Sequence, residues 1–402
     1  MITGASIGLG LYFAHILARS GAEVTLAVQS FSKVQEVAEE IRADGYGAEA
    51  LELDPAEVRR RNFYGPSPRH VTPYGQVVTP DDNRLERIYD ELMLSSSYSK
   101  RRLAIQAFNA NSEWVKRGIG FQPVKFGISF TTSMLNQAGA LVLVYADGTV
   151  QLNHGGTEMG QGLHTKMLAI CAHELGVELE AIRVMDTATD KVPNTSATAA
   201  SSGSDLNGQA VRNACQTIRE RLRPVAAKLL GVGEGLAGAI IFQGGVAFVP
   251  GLENEPVLFS DIVGRAYVEQ ISLSATGYYR TPNIYYDAKR GRGRPFHYYA
   301  YGGAVVEMEV CGLTGESRML RADVLHDCGN SLIPSIDRGQ VEGGFVQGVG
   351  WLTCEEVIFN EQGKLLTHAP STYKIPALGD VPEDFRVCLL EGAPQEGVIH
   401  RS

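Results

Sequence analysis

The sequence predicts an α+β fold over residues 55–402, preceded by a short β-α-β-α-β unit over residues 1–54. Three observations carry this expectation. Strand-like and helix-like segments alternate strictly up to Asp54, and no further β-α unit continues them. Beyond Pro55, helical periodicity and β-branched runs mix in no fixed order, as in layered α+β domains rather than doubly wound parallel sheets. The chain has 45 glycines in 402 residues, about 11% against an average near 7%, and many of them cluster with other small residues.

Taken in order, Met1-Ile2 is a shortened first strand, and Thr3-Gly4-Ala5-Ser6-Ile7-Gly8-Leu9-Gly10 is a glycine-rich turn. A helix over about 11–20 follows and stops at Gly21, which serves as its C′ glycine. Residues 23–28 read as a strand rich in β-branched side chains. Residues 32–43 read as a second amphipathic helix with Ser30 or Ser32 as N-cap, and 48–53 as a third strand ending at Asp54. The run Arg59-Arg60-Arg61-Asn62-Phe63-Tyr64-Gly65-Pro66 breaks this rhythm. Apolar spacing of three to four then predicts helices near 82–95, 98–111, 163–175, 207–230 and 340–355. Strands are expected near 117–132, 140–145, 149–153, 182–185, 271–277, 304–309 and 318–326. Ala146-Asp147-Gly148 marks a hairpin between two of them.

Composition excludes several function classes. Lys plus Arg is 36 and Asp plus Glu is 45, a net charge of −9 with no dense basic block, which disfavours nucleic-acid or anionic-membrane binding. No window approaches 18 uncharged apolar residues, so no membrane span is expected. The apolar start lacks a basic n-region, which argues against a secretory signal. Six cysteines contain no C-x-x-C, so zinc ribbons, ferredoxin-type clusters and disulfide scaffolds find no support, and a reducing, cytoplasmic setting is expected.

The glycine clusters fall at 155–162, 193–205 and 339–348. The first two run into predicted helices, whose N-terminal N–H groups and dipole favour anions. The third lies on or beside a helix, where each interior glycine costs about 1 kcal/mol and often marks close approach of a backbone or ligand. Gln161 and Gln347 add side chains that both donate and accept, suited to a heterocycle with amide-like edges.

Residues 1–54 resemble the N-terminus of a short-chain dehydrogenase/reductase: Thr3, Gly4, Gly8 and Gly10 match that family's T-G-x-x-x-G-x-G motif. The resemblance makes Gly4, Gly8 and Gly10 a dinucleotide-binding remnant on a truncated Rossmann-like fragment, and Asp54 an adenine-contacting residue. The likeness ends there. Tyr285 and Lys289 have the spacing of the family's Tyr-x-x-x-Lys, but the flanking Pro282 and 291–294 loop oppose a helix. No working NAD(P) site is expected, although an NAD(P)-dependent reductase is one alternative reading.

Residues 56–402 resemble the second half of the molybdopterin-binding region of xanthine dehydrogenases. The likeness runs through Val124-Lys125-Phe126-Gly127-Ile128-Ser129-Phe130, Leu135-Asn136-Gln137-Ala138-Gly139-Ala140, His154-Gly155-Gly156-Thr157-Glu158-Met159-Gly160-Gln161-Gly162 and Asn194-Thr195-Ser196-Ala197-Thr198-Ala199-Ala200-Ser201. It continues through Ala322-Asp323-Val324-Leu325-His326-Asp327-Cys328-Gly329 and Pro370-Ser371-Thr372-Tyr373-Lys374-Ile375-Pro376-Ala377. The resemblance implies an incomplete molybdenum-cofactor-binding domain of the xanthine dehydrogenase/aldehyde oxidase type over residues 55–402. Its implied cofactor is molybdopterin or the dinucleotide form, held without protein side chains on the metal. Its implied reaction is hydroxylation of a purine such as hypoxanthine or xanthine, with oxygen from water.

By the same resemblance, Met159, Gly160 and Gln161 contact the pterin, Thr198, Ala199, Ala200 and Ser201 form the loop beside the molybdenum, and Gln347 is a second pterin-contacting glutamine. Phe130 and Thr131 face the substrate. The family's general-base glutamate belongs to a Gly-Glu-Pro-Pro motif expected beyond Ser402, so no catalytic residue is assigned here. The first half of the molybdenum domain and the iron–sulfur and flavin patterns are also missing. The expectation is a chimeric fragment, inactive alone, that would work with an iron–sulfur/FAD subunit or domain of a dimeric enzyme. A non-catalytic remnant that only associates with partner subunits is the other alternative. His154, His164 and His173 are read as ordinary histidines, and Lys289-Arg290-Gly291-Arg292-Gly293-Arg294 as a solvated basic loop.

Overall fold

A computed structural model describes residues 2–3, 8–21, 24–28, 31–199, 201–253 and 255–393. The N-terminal unit comprises β1 (Ile2–Thr3), α1 (Gly8–Arg19), β2 (Val24–Val28), α2 (Phe31–Ala43) and β3 (Ala48–Glu52), with the strands parallel in the order β1-β2-β3. Ala14, Ala18, Leu26, Val34, Ala38 and Ile41 make its own small core. Helix α1 begins at Gly8, so Gly8 and Gly10 are helical rather than part of a turn. Gly4 lies outside the described residues.

Asp54 follows β3 as the N-cap of the next helix. Its Oδ1 accepts the Ala56 N–H at 2.7 Å and caps α3 (Pro55–Arg61), a helix the sequence reading passed over. Its carboxylate also accepts from the Tyr98 hydroxyl and pairs with Arg102. The side chain expected to meet an adenine is therefore engaged by protein groups.

Helices α4 (Leu85–Ser95) and α5 (Tyr98–Asn111) follow, then the long strand β4 (Val115–Ile128). Strand β4 ends four residues earlier than expected. The chain bends at Ser129 (φ 142°), and Asn136 pins the loop, accepting the Phe130 N–H at 2.7 Å and donating to the Phe130 carbonyl at 2.9 Å. The predicted hairpin forms between β5 (Gln137–Val144) and β6 (Val150–His154). Asp147 Oδ1 accepts from the Thr149 amide and hydroxyl across the turn.

Next come α6 (Leu163–Leu175), β7 (Ile182–Val184) and α7 (Gly203–Leu229). Helix α7 starts four residues earlier than expected, so Ser204 and Asp205 lie inside it, and its cap position is Ser202. A small sheet of β8 (Ile241–Gln243), β9 (Val246–Phe248) and β10 (Val257–Leu258) leads to α8 (Phe259–Val268) and β11 (Ser274–Arg280). A ribbon of β12 (Tyr285–Asp287) and β13 (Arg292–Arg294) occupies the Tyr285–Lys289 region, which is indeed not helical. The chain continues with β14 (Tyr298–Cys311), β15 (Ser317–Asp327), α9 (Pro334–Thr353) and β16 (Asp384–Leu389).

Two four-stranded sheets organise the layers, in the orders β11-β5-β6-β7 and β16-β15-β14-β4, each with a parallel pair at one edge. Helices α6, α7 and α8 bury one face of the first sheet, with Met167, Ile170, Ile218, Leu222 and Ile262 in the core. Helix α4 covers the second sheet through Ile88 and Leu92 against Phe121, Tyr299 and Tyr301. Each fully buried Leu or Ile contributes about 1.5–3 kcal/mol, so these helices are held by their apolar faces. The β6–α6 loop, the start of α7 and helix α9 are thereby brought together. Among the described residues, no helix is long and apolar enough to cross a membrane.

Candidate functional site

The loop leaving β6 is fastened from within. Glu158 Oε1 accepts the N–H groups of Gly160 and Gly162 at 2.9 Å each, and Oε2 accepts that of His164 at 2.9 Å. Burial pushes its pKa up, but these backbone bonds outweigh burial and hold it below the usual value. The N-terminus of α6, expected to offer free N–H groups to an anion, is thus already served by Glu158. Gln161 turns back on the same loop. Its Oε1 accepts the Met159 N–H at 2.5 Å and its Nε2 donates to the Thr157 carbonyl at 2.8 Å.

The second small-residue segment docks on the first. Thr198 Oγ1 accepts the Thr157 N–H at 2.8 Å, and a Cβ on Gly155 would fall 2.1 Å from Thr195 Oγ1. Ser201 takes a left-handed φ of 52° as the chain enters α7. Ala200 lies outside the described residues.

Helix α9 closes the third side. Five of its residues, Asp337, Gln340, Val341, Gly344 and Phe345, line a cavity of about 500 Å³ together with Met159, Gln161, Thr198, Ala199 and Ser201. Their spacing from Asp337 is three, four, seven and eight residues, which is one face of a helix. The segments 203–208 and 339–350 are helical, the first because α7 starts at Gly203 and the second as the expected helix.

Lys166 on α6 and Asp337 on α9 meet on the cavity wall, Nζ to Oδ1 2.6 Å apart, with side chains 6% and 5% exposed. Asp337 Oδ2 also accepts from the Ser331 hydroxyl at 2.5 Å. Cys328, on the same wall, has its thiol pushed up to about 11 by burial, with Asp337 and Asp327 adding to the effect, so it stays protonated at neutral pH.

The structure therefore gathers Met159, Gln161, Thr198, Ala199 and Ser201 around one cavity, with Gly160 in the same loop. Gln347, Phe130 and Thr131 do not line it. Gln347 is exposed, and the α9 glutamine on the wall is Gln340, seven residues earlier. Sequence reasoning missed Gln340, Lys166, Asp337, His326 and Cys328. The helical spacing of Gln340 from Gly344 was the available signal for the first; the ion pair joins distant segments and has no local signature. Among the described residues, no group of three His, Cys, Asp or Glu is arranged to hold a metal ion.

A mixed α+β scaffold whose cavity is walled by two small-residue loops and the face of a glycine-rich helix defines a small-molecule-binding domain with a mainly apolar lining that carries two amide and a few hydroxyl side chains. The comparisons give that class its family. The family model described as "Molybdopterin cofactor-binding domain" matches residues 91–382. The xanthine dehydrogenase of Dictyostelium discoideum is 46% identical over 358 residues, which is 88% of this chain and 24% of that protein. The mouse xanthine dehydrogenase/oxidase is 45% identical over 350 residues, 87% of this chain and 24% of the relative. Among solved structures, quinoline 2-oxidoreductase from Pseudomonas putida 86 shares the fold with a TM-score of 0.70 at 23% identity, over 92% of this chain and 45% of that one. CO dehydrogenase from Oligotropha carboxidovorans does so with a TM-score of 0.72 at 21% identity, over 90% and 43%. The chain belongs to the molybdopterin cofactor-binding domain family, and it spans about a quarter of the length of the curated relatives it matches. The group such a domain holds is the molybdenum cofactor.

Proposed function

We propose that the cavity between the β6–α6 loop, Thr198, Ala199, the start of α7 and α9 is the pterin-holding part of a xanthine-dehydrogenase-like molybdenum hydroxylase. The observation that carries this reading is the convergence of Gln161 and Gln340 with Thr198, Ser201 and Ser204 on one cavity of about 500 Å³. The donor set fits the group. Amide and hydroxyl side chains can serve the amide-like edges of a pterin, and the small Ala199 and Gly344 leave room beside them.

In this reading Gln161 and Gln340 orient the pterin from opposite walls, with backbone contacts from Met159 and Gly160. Thr198, Ala199 and Ser201 border the reacting end, and the small Ala199 keeps it open. When bound, the cofactor supplies the oxygen-transfer and electron-accepting chemistry; the chain supplies orientation and hydrogen bonds. A purine substrate, with Phe130 and Thr131 facing it, is supported by the likeness to xanthine dehydrogenases. Iron–sulfur and flavin partner domains are supported by the greater length of those relatives. A division into units 1–54 and 55–402 is supported by the separate core of the first. The three parallel strands of that unit support its likeness to a short-chain dehydrogenase fragment.

The test is retention of molybdopterin by the purified chain, read as pterin fluorescence after release together with molybdenum by mass spectrometry. We expect stoichiometric retention, reduced about tenfold by Gln161→Ala or Gln340→Ala, the loss of one or two good hydrogen bonds. A chain that retains no pterin, or variants that retain it as well as the parent, would sink the assignment.

A further inference from the structure

We propose that Lys166 and Asp337 are positioning residues: their ion pair sets the rotation of α9 against α6 and so aims Gln340 into the cavity. The inference deepens the cofactor reading and uses it in one arm of its test.

Helix α9 is seated at few apolar points: Phe345 meets Phe385 with ring centroids 5.4 Å apart, and Ile336 lies 2.8 Å from where a Cβ on Gly162 would fall. Its apolar residues are spread around the helix rather than gathered in a stripe, and only Asp337 and Gly350 are buried. A Cβ built on Gly339, Gly343, Gly344 or Gly348 would meet nothing within 4 Å. Apolar packing at so few points sets the rotation weakly, and the Lys166–Asp337 ion pair, at 2.6 Å and almost fully buried, adds an anchor in the first turn.

A buried ion pair adds little net stability, because desolvation offsets the attraction, and its best-attested use is to fix register. Here Asp337 opens the very face that lines the cavity. Holding its azimuth holds Gln340 one turn on and Gly344 two turns on. Ser331 Oγ bonds the other carboxylate oxygen and fixes that side chain in turn. Lys166 lies on α6 shortly after the loop that carries Gln161. The pair thus connects the two glutamines through rigid elements.

The experiment uses the full chain with Lys166→Met, Asp337→Asn, the reversal Lys166→Asp with Asp337→Lys, and the apolar pair Lys166→Met with Asp337→Leu. Hydrogen exchange of amides 334–353 is read without ligand, and pterin retention is read separately. Each single variant should speed α9 exchange about tenfold or more while the α7 amides keep their protection. Each should also lose pterin retention about tenfold, and the reversal should restore both. Should the single variants unfold throughout, the two double variants decide. An apolar pair that matches the parent in α9 exchange and pterin retention overturns the proposal, as do single variants with parental α9 exchange. If the parent retains no pterin while α9 exchange still depends on the pair, the cofactor reading falls and the positioning role stands.

Discussion

The imidazoles of His154 and His164 meet edge to face, with ring centroids 4.9 Å apart, and neither buried Nε2 has a hydrogen-bond partner among the described residues. His154 is 2% exposed, and its Nδ1 accepts the Gly156 N–H at 3.1 Å. Burial, and then the neighbouring His164, lower its pKa from 6.5 to about 4; Glu158 opposes them weakly. A histidine depressed in the folded state favours the unfolded chain once protons become available. Its contribution is therefore intact above about 6.5 and lost as the pH falls toward 4, a change of about 3 kcal/mol. Denaturant titrations at a series of pH values should show this loss. His154→Asn, which keeps an acceptor near the Nδ1 position, should remove this loss, so that the parent-minus-variant difference in stability falls as the pH drops from 6.5 toward 4. An unchanged pH profile would contradict the assignment.

Arg101 ties α5 to the second sheet. Its guanidinium donates to Glu307 Oε2 at 2.7 and 2.9 Å and to Asp323 Oδ2 at 3.1 Å. Arg101→Met strips half-buried Glu307 of both guanidinium bonds, while Asp323 keeps those from Arg321, and should cost about 2 kcal/mol. Arg101→Lys should recover part of that loss. Urea midpoints with unchanged slopes are the measurement; a shift under about 0.5 kcal/mol would place the pair among ordinary surface contacts.

Helix α7 rests on the backbone of β11 at Gly277, where a Cβ would fall 1.9 Å from the Ala210 carbonyl oxygen and 2.8 Å from the Ala214 nitrogen. Neither backbone atom can move without shifting the helix. Gly277→Ala should therefore destabilise by about 3 kcal/mol, at the upper end of overpacking costs. Gly118→Ala on β4, where nothing lies within 4 Å, is the matched control and should change stability by far less. Equal thermal midpoints for the two variants would refute the close-approach account.

Gly162 and Gly160 separate strain from contact. Both adopt positive φ, 76° and 99°, so alanine at either pays the left-handed cost of about 1–2 kcal/mol. A Cβ at Gly162 would also lie 2.8 Å from the Ile336 side chain at the start of α9, whereas one at Gly160 meets nothing. Gly162→Ala should thus reduce pterin retention more than Gly160→Ala at similar stability loss. Retention falling equally in both would mean that α9 yields freely at that point.

Helix ends with a clear stop signal were legible from the sequence. The helices at 98–111 and 163–175 have the predicted bounds, the second ended by Gly176 at a φ of 70°. Helix α3 was passed over although Asp54 and Pro55 are an N-cap and first-turn signal; only Ala56 and Val58 carry its buried face. Strand β16 depends on a parallel partner, β15, some 60 residues earlier, and such non-local pairing leaves little local trace. At the site, the small-residue segments around Gln161 and Ser201 could be read, since bare backbone is a compositional signal. Gln340 and Gln347 could not be told apart, because both sit among glycines and only the seating of α9 on the fold decides which meets the cavity.

The cavity wall draws on residues from Met159 to Phe345, a separation of 345 − 159 = 186 positions. Such a site has high contact order: it comes into being only when α6, α7 and α9 have all found their places. A molecule bound there would hold distant stretches of chain at once and stabilise the whole assembly by mass action rather than any single element. Occupancy of the cavity would then serve as a measure of completed folding, and loss of its ligand would be an early sign that α9 has begun to detach.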